Sequence, residues 1–191
     1  MEQKRNAKPR CAITGGIGSG KSYVCRMMQN IGIEVYDCDE NARRLMLDDK
    51  TVREALIRLI GEDAYSGEQL NKPVISKFLF ESEENKNAIN AIVHPAVIRD
   101  FHDSGLQWME SAILFEANLR YAVDVTVCVS APEKLRIARI MQRDNVTEER
   151  ARQWIRAQMK QERKEMMADF IIINDGVSSV EQQVDRLLEK L

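Results

Sequence analysis

Residues 15–22 combine four glycines with a lysine and a serine, a combination that can bind the phosphates of a nucleotide. They read Gly-Gly-Ile-Gly-Ser-Gly-Lys-Ser and match the pattern G-x-x-x-x-G-K-[ST] in full. Lys21 would reach the β- and γ-phosphates, and the Ser22 hydroxyl would bind Mg²⁺. A glycine-rich turn with a chance lysine is the alternative. It is disfavoured because an apolar run precedes the loop and a helical pattern follows it.

The backbone of this loop is expected to supply most of the nucleotide contacts. Glycines let the chain curl so that successive N–H groups point at phosphate oxygens, and the following helix directs its positive end to the same place. The cofactor-binding residues predicted from the motif are Gly16, Ile17, Gly18, Ser19, Gly20, Lys21, Ser22 and, through its backbone N–H, Tyr23.

Two carboxylates follow the second predicted strand. Asp37 and Asp39 flank Cys38 directly after the predicted strand 33–36. Because parallel strands present functional groups at their carboxyl ends, Asp39 is a candidate general base toward an attacking hydroxyl. Helix capping is the alternative role for Asp39. Asp37 could orient its neighbour or the water molecules around Mg²⁺.

Residues 133–165 carry a local excess of positive charge, with ten basic side chains against six acidic ones. Most of these could simply form solvated helix faces with i,i+4 ion pairs. As a group they fit a lid over phosphates, because arginines stabilise the charge of a phosphoryl-transfer transition state after water is excluded. Arg143 is the predicted contact to the transferring phosphoryl group, and Arg139, one turn earlier, is the second choice.

Composition narrows the class of protein. The chain has 191 residues, 44% hydrophobic, with a formal net charge of -2 and a pI of about 5.8, which argues against a nucleic-acid-binding surface over the whole molecule. Residues 1–10 lack the apolar stretch of a signal peptide, and no run of 18 apolar residues occurs. We therefore expect a cytoplasmic protein with no membrane span. Four scattered cysteines and two histidines predict neither disulfides nor a transition-metal site.

The strands that must carry these residues follow from short β-prone runs. Five strands are predicted, at 11–14, 33–36, 111–115, 123–129 and 170–173. Their alternation with helices predicts an α/β fold of three layers around a five-stranded parallel sheet. We expect one domain over residues 1–191. Its predicted parts are a core at about 10–40, 108–140 and 166–191, a helical acceptor-binding insertion at about 41–107, and a basic lid at about 141–165.

Helix boundaries are predicted from periodicity and capping signals. The first helix is expected at about 21–31, and Pro95 is expected to be the first residue of a helix within the insertion. The segments 130–133 and 178–181 match capping boxes and predict the starts of two further helices. Trp108 and Trp154 are expected to be packing residues.

Together these features resemble the dephospho-coenzyme A kinase family, a relative of the nucleoside monophosphate kinases, over the whole chain. Beyond the phosphate loop, the resemblance rests on Asp37-Cys38-Asp39 followed by Ala42-Arg43, His94-Pro95, Leu114-Phe115-Glu116, Met141-Gln142-Arg143-Asp144, Ala157-Gln158, and Ala168-Asp169 leading to Ile173-Asn174. The family usually has alanine in place of Cys38 and proline in place of Ala112. Neither departure removes a functional side chain.

The resemblance implies a P-loop kinase that uses ATP and Mg²⁺ to phosphorylate the ribose 3′-hydroxyl of dephospho-coenzyme A, the last step of coenzyme A synthesis. It implies that Asp39 is the base for that hydroxyl and that Asn174 contacts the adenine of ATP. It also implies that Asp37, His94 and Glu116 bind the acceptor. Alternatives are a turn for Asn174, a helix cap for His94, and an arginine pair or Mg²⁺ contact for Glu116.

Two other functions are weighed against this one. A nucleoside or nucleoside monophosphate kinase would share the loop and the lid. A GTP-dependent switch is disfavoured because the guanine-reading pattern Asn-Lys-x-Asp is absent: Asn71-Lys72-Pro73 continues with Val74. The expected partners are small molecules, with no nucleic acid and no membrane, and the expected assembly is a monomer or a small homo-oligomer.

Overall fold

The computed structural model describes residues 8–191. Their contacts divide them into two compact units, one formed by residues up to Tyr36 together with Leu106–Leu191, and the other by Asp37–Gly105. The second unit coincides closely with the predicted insertion. The organisation of the whole chain as one domain with a lid stays a prediction.

A five-stranded parallel sheet forms the centre of the first unit. Its strands are β1 (Cys11–Thr14), β2 (Val35–Asp37), β5 (Trp108–Glu110), β6 (Val125–Ser130) and β7 (Phe170–Ile173). They lie in the order β2-β5-β1-β6-β7, so the strand that leads into the phosphate loop is flanked on both sides. Cys11 pairs with Trp108 on one side and with Val125 on the other. The predicted three-layer α/β architecture is confirmed.

The helices of the first unit pack on this sheet or on one another. They are α1 (Lys21–Asn30), α6 (Glu133–Asp144), α7 (Glu148–Arg156), α8 (Gln161–Met167) and α9 (Val180–Leu188). Val24 and Met28, one turn apart on α1, are fully buried in a core with Ile13 and with Val184 of α9. Helical spacing places these side chains on one face, which is why α1 packs where its sequence pattern predicts.

The third predicted strand is wrong in position. The structure places β5 at Trp108–Glu110, and the predicted run 111–115 forms a turn in which Leu119 N–H donates to Leu114 O at 2.8 Å. Leu114 is fully buried within this turn. Burial alone therefore explains its apolar character, and an apolar run does not distinguish a strand from a buried turn.

Both predicted capping boxes need correction. Helix α6 begins after Pro132, which makes no side-chain cap, and the Ser130 hydroxyl instead donates to Glu165. Helix α9 is capped by Ser179, whose hydroxyl accepts from Gln182 N–H, one residue later than predicted. Trp108 is buried and Trp154 packs beside a small core of α6 and α7, so both are packing residues as predicted.

The second unit is helical, with one short hairpin that the sequence analysis missed. Its elements are α2 (Cys38–Asp48), α3 (Lys50–Ile60), β3 (Tyr65–Ser66), β4 (Gln69–Leu70), α4 (Lys72–Glu81) and α5 (Glu83–Ser104). Pro95 does not start a helix, because α5 runs through it. Packing of α5 against three other helices holds the helix together across a residue that has no N–H to donate.

Within residues 8–191, no helix is long and apolar enough to cross a membrane. All four cysteines are buried.

Candidate active site

The phosphate loop joins the end of β1 to the start of α1, as its motif predicts. Gly20 is the N-cap of α1 and has φ +96°, a conformation that only glycine adopts without strain. A Cβ at this position would collide with the side-chain amide of Asn174. Ser19 N–H donates to Gly16 O at 3.1 Å inside the loop. Backbone conformation and close packing therefore both require glycine here.

Lys21 is the buried cation of the loop, with an exposed fraction of 9%. Its Nζ donates to Gly15 O at 3.0 Å and lies 3.9 Å from Glu110 Oε1. Glu110 ends β5, so the sheet places a carboxylate beside the loop lysine. The sequence analysis missed Glu110 because it began the third strand at residue 111, three residues later than the structure does.

The N–H groups of the loop fall into two sets. Those of Gly16 and Ile17 donate to the side chains of Gln161 and Gln158, at 3.0 and 2.7 Å. Those of Gly18, Gly20 and Ser22 make no hydrogen bond to any residue between 8 and 191. The second set surrounds the N-terminus of α1, where unsatisfied N–H groups and the helix dipole favour an anion. These three N–H groups therefore suit an anionic ligand.

Arg139 and Asn174 meet at the loop and bind its carbonyl groups. Arg139 donates to Gly18 O at 3.4 Å and to Asn174 Oδ1 at 3.2 Å, and Asn174 Nδ2 donates to Ser19 O at 2.9 Å. A cavity of about 510 Å³ adjoins these residues and is also lined by Tyr23. Both side chains therefore shape the loop as well as the cavity beside it.

Arg143 lies in the last turn of α6 and is largely exposed. Its guanidinium makes an ion pair with Asp144 at 2.7 Å, and this hydrogen bond raises the pKa of Arg143. Arg136, which the sequence analysis did not select, is the buried arginine of the same helix, with 4% of its surface exposed. Burial lowers the pKa of Arg136, and its Nε donates to Ile17 O at 2.9 Å.

Glu116 makes an ion pair, which was one of the alternatives for it, but its partner is a lysine and not an arginine. Lys164, which is fully buried, approaches Glu116 Oε1 at 2.6 Å and donates to Ala112 O at 2.7 Å. Met159 N–H donates to the same Glu116 oxygen at 3.1 Å. A buried ammonium with a carboxylate partner is stable only when both are well paired, so this cluster fixes the turn that follows β5.

The three remaining predicted residues lie in the second unit. Asp37, not Asp39, caps α2, since its Oδ1 accepts from Glu40 N–H at 2.9 Å. Asp39 is exposed in the first turn, and its carboxylate makes no hydrogen bond to any residue in the described part of the chain. His94 is half-buried in the middle of α5, so it is not a helix cap, and burial lowers its pKa.

The few oxygen donors near the loop suit a hard cation that takes most of its ligands from water and from phosphate oxygens. Among residues 8–191, no group of three or more His, Cys, Asp or Glu side chains could hold a metal ion. The Ser22 hydroxyl lies in the first turn of α1, next to the loop. Mg²⁺ characteristically uses one or two protein oxygens and completes its shell with water and phosphate oxygens, so this sparse donor set fits it.

Comparison with known proteins decides the family. The family model described as dephospho-CoA kinase matches residues 10–189. The chain is 39% identical over 190 residues to the dephospho-CoA kinase of Bacteroides fragilis strain YCH46, covering 94% of this chain and 91% of that protein. It is 38% identical over 187 residues to the Porphyromonas gingivalis enzyme, covering 93% and 91%. The chain belongs to the dephospho-CoA kinase family.

Solved structures share the fold of this chain. TT1252 from Thermus thermophilus superposes with a TM-score of 0.81 at 30% identity, covering 95% of this chain and 96% of that one. Dephospho-CoA kinase from Campylobacter jejuni (TM-score 0.55, 18% identity, covering 94% and 96%) and shikimate kinase from Acinetobacter baumannii (0.57, 17%, covering 95% and 92%) share the fold. The predicted P-loop kinase fold and the ATP-dependent kinase class are both confirmed.

Proposed function

We propose that this member of the dephospho-CoA kinase family transfers the γ-phosphoryl group of ATP to the ribose 3′-hydroxyl of dephospho-coenzyme A. The products are coenzyme A and ADP. The observation that carries the proposal is the buried Lys21, set beside the N–H groups of Gly18, Gly20 and Ser22, which make no hydrogen bond within residues 8–191. Family membership over residues 10–189 supplies the acceptor.

The nucleotide is bound by the second half of the loop. The N–H groups of Gly18, Gly20 and Ser22 donate to phosphate oxygens, and Lys21 bridges the β- and γ-phosphates. Adenine occupies the cavity lined by Tyr23, Arg139 and Asn174. Since the Asn174 side chain already bonds Ser19 O and Arg139, its contribution to adenine binding is to shape the cavity wall.

Phosphoryl transfer requires a nucleophile, a base and a cation for the developing charge. The 3′-oxygen forms a bond to the γ-phosphorus while the bond from that phosphorus to the β,γ-bridging oxygen breaks, and ADP leaves. Asp39 accepts the proton of the hydroxyl. Arg143 exchanges its exposed pairing with Asp144 for the equatorial oxygens of the transferring group, because its planar fork matches them. His94, Asp37 and Glu116 contribute to the acceptor side.

Mg²⁺ would be held by the Ser22 hydroxyl together with phosphate oxygens, where it neutralises charge between the β- and γ-phosphates. Lys21 and the loop N–H groups orient the same phosphates independently of the metal. We further propose that the enzyme acts in the cytoplasm, as a monomer or a small homo-oligomer, on small molecules alone.

A coupled assay for ADP release tests the function. Purified protein with Mg²⁺-ATP is given dephospho-coenzyme A, a nucleoside, a nucleoside monophosphate, shikimate or no acceptor. We expect stoichiometric ADP with dephospho-coenzyme A and background rates with the others. Faster turnover with a nucleoside or a nucleoside monophosphate would instead identify another small-molecule kinase. ADP release that does not depend on any acceptor would identify an ATPase.

A further inference from the structure

Gln161, the first residue of α8, is wholly engaged in hydrogen bonds around the phosphate loop. It is 8% exposed, and its Oε1 accepts from Gly16 N–H at 3.0 Å. Its Nε2 donates to Val129 O at 3.3 Å and to Glu165 Oε1 at 3.2 Å. The same nitrogen lies 3.3 Å from Cys128 Sγ. One amide side chain therefore ties the loop both to the end of β6 and to α8.

Gln158 makes a second connection of the same kind. It lies between α7 and α8, and its Oε1 accepts from Ile17 N–H at 2.7 Å. Arg136 Nε donates to Ile17 O at 2.9 Å. Residue 17 is therefore fixed through both its N–H and its C=O groups, by side chains from two different elements.

The packing around this half of the loop leaves no room for a side chain at position 16. A Cβ on Gly16 would collide with the Arg136 guanidinium and would lie 3.0 Å from Gln161 Oε1. Buried N–H groups must be paired, and here the pairing comes from glutamine side chains whose other contacts are with the sheet. The first half of the loop thus has its hydrogen bonds supplied by the protein, and the second half is held ready for an anion.

We propose that Gln161, assisted by Gln158, is a positioning residue that holds the loop in its phosphate-binding shape. The inference rests on the proposed role of the loop in binding ATP. A loop that lacks these bonds must be ordered by the nucleotide when it binds. The free-energy cost of ordering the loop then weakens the affinity for the nucleotide. Neither glutamine side chain bonds a residue assigned to the acceptor. We therefore expect the KM of dephospho-coenzyme A to stay near the parent value.

The test replaces Gln161 by methionine, which has a similar length but forms no comparable hydrogen bond. We expect the Kd of Mg²⁺-ADP, measured by isothermal titration calorimetry, to rise about tenfold, the scale of one lost buried hydrogen bond. The KM of dephospho-coenzyme A should change by less than about twofold on the same reasoning.

Gln183→Met is the matched control. Gln183 also bonds backbone through both ends of its amide, with Ile173 N–H at 2.9 Å and Ile173 O at 2.9 Å, but it does not bond the loop. We expect this variant to lower the Tm while leaving the affinity for Mg²⁺-ADP at the parent value. If Gln161 had only a structural role, Gln161→Met would, like Gln183→Met, lower the Tm and leave the Kd of Mg²⁺-ADP unchanged.

Gln158→Met keeps the test valid if Gln161→Met does not fold, because the Gln158 side chain makes a single hydrogen bond within residues 8–191, to the loop. It should also weaken Mg²⁺-ADP, and the double variant should lose less than the two single losses combined, since both act on one loop. Parent-like affinity for Mg²⁺-ADP in folded Gln161→Met or Gln158→Met would overturn the inference. Failure of the parent itself to bind Mg²⁺-ADP would overturn the proposed function.

Discussion

The nucleotide side and the acceptor side of this chain differ in how far their functional groups are already held in place. Around the phosphate loop, Arg139, Asn174 and Gln161 each make several hydrogen bonds. In the unit Asp37–Gly105, by contrast, Asp39 is exposed and its carboxylate has no hydrogen-bond partner within residues 8–191. The difference suggests that nucleotide binding uses a preformed site, whereas the acceptor-side base acquires its partner from the substrate.

The largest expected effect comes from the acceptor side. Asp39→Asn should lower kcat by roughly two to four orders of magnitude, the usual contribution of a positioned general base, with little change in Mg²⁺-ADP affinity. Steady-state kinetics and calorimetry would measure both. Glu40→Gln is the matched control, because it removes the same charge from the same helical turn. Equal losses in the two variants would assign the effect to local charge, and a kcat within about threefold of the parent would remove Asp39 from the reaction.

The next effect tests the nucleotide side. Lys21→Met should reduce kcat/KM for ATP by roughly two to three orders of magnitude, the scale of one donor lost from charged transition-state oxygens. The circular dichroism spectrum should stay that of the parent, because methionine can fill the buried position. Substantial activity in a folded Lys21→Met protein would contradict the assignment of the loop.

Arg143 is intermediate between the hydrogen-bonded side chains around the loop and the unpartnered carboxylate of Asp39, since it is exposed but paired with Asp144. Arg143→Lys should lower kcat about ten- to a hundredfold with nearly unchanged Mg²⁺-ADP affinity, because lysine keeps the charge but lacks the bidentate fork. Arg152→Lys, which alters an exposed arginine paired with Glu148, is the control and should behave as the parent. A raised KM for ATP at unchanged kcat would show that Arg143 is a ground-state contact.

The smallest effect concerns pH and stability. Burial lowers the pKa of His94, so the unfolded chain takes up a proton at this position more readily than the folded protein. The stabilising contribution is complete above the unfolded value of about 6.5 and is lost as pH falls below it. The Tm of His94→Gln should therefore decline less than the Tm of the parent between pH 7.5 and pH 5.5. Parallel declines would show that His94 does not contribute.

Sequence patterns predicted the loop and the architecture well, because local rules determine both. The glycines, Lys21 and the apolar stripe on α1 act through the backbone and through helical spacing. Arg139 and Asn174 both contact the loop through its carbonyl groups, and their predicted roles toward the phosphoryl group and the adenine stay predictions.

Long-range contacts explain what the sequence could not predict. Glu110, Arg136 and Gln161 contact the loop from distant parts of the chain, and no local pattern marks a glutamine as the partner of a glycine 145 residues away. Pro95 was misplaced because packing of α5 overrides a local signal for a helix start.

The most direct test of the central claim is to identify the product of one turnover by ³¹P nuclear magnetic resonance. Protein, Mg²⁺-ATP and dephospho-coenzyme A should give ADP and one new phosphomonoester resonance, assigned to the ribose 3′-position by comparison with authentic coenzyme A. ADP with only inorganic phosphate, or a phosphomonoester at another position, would contradict it.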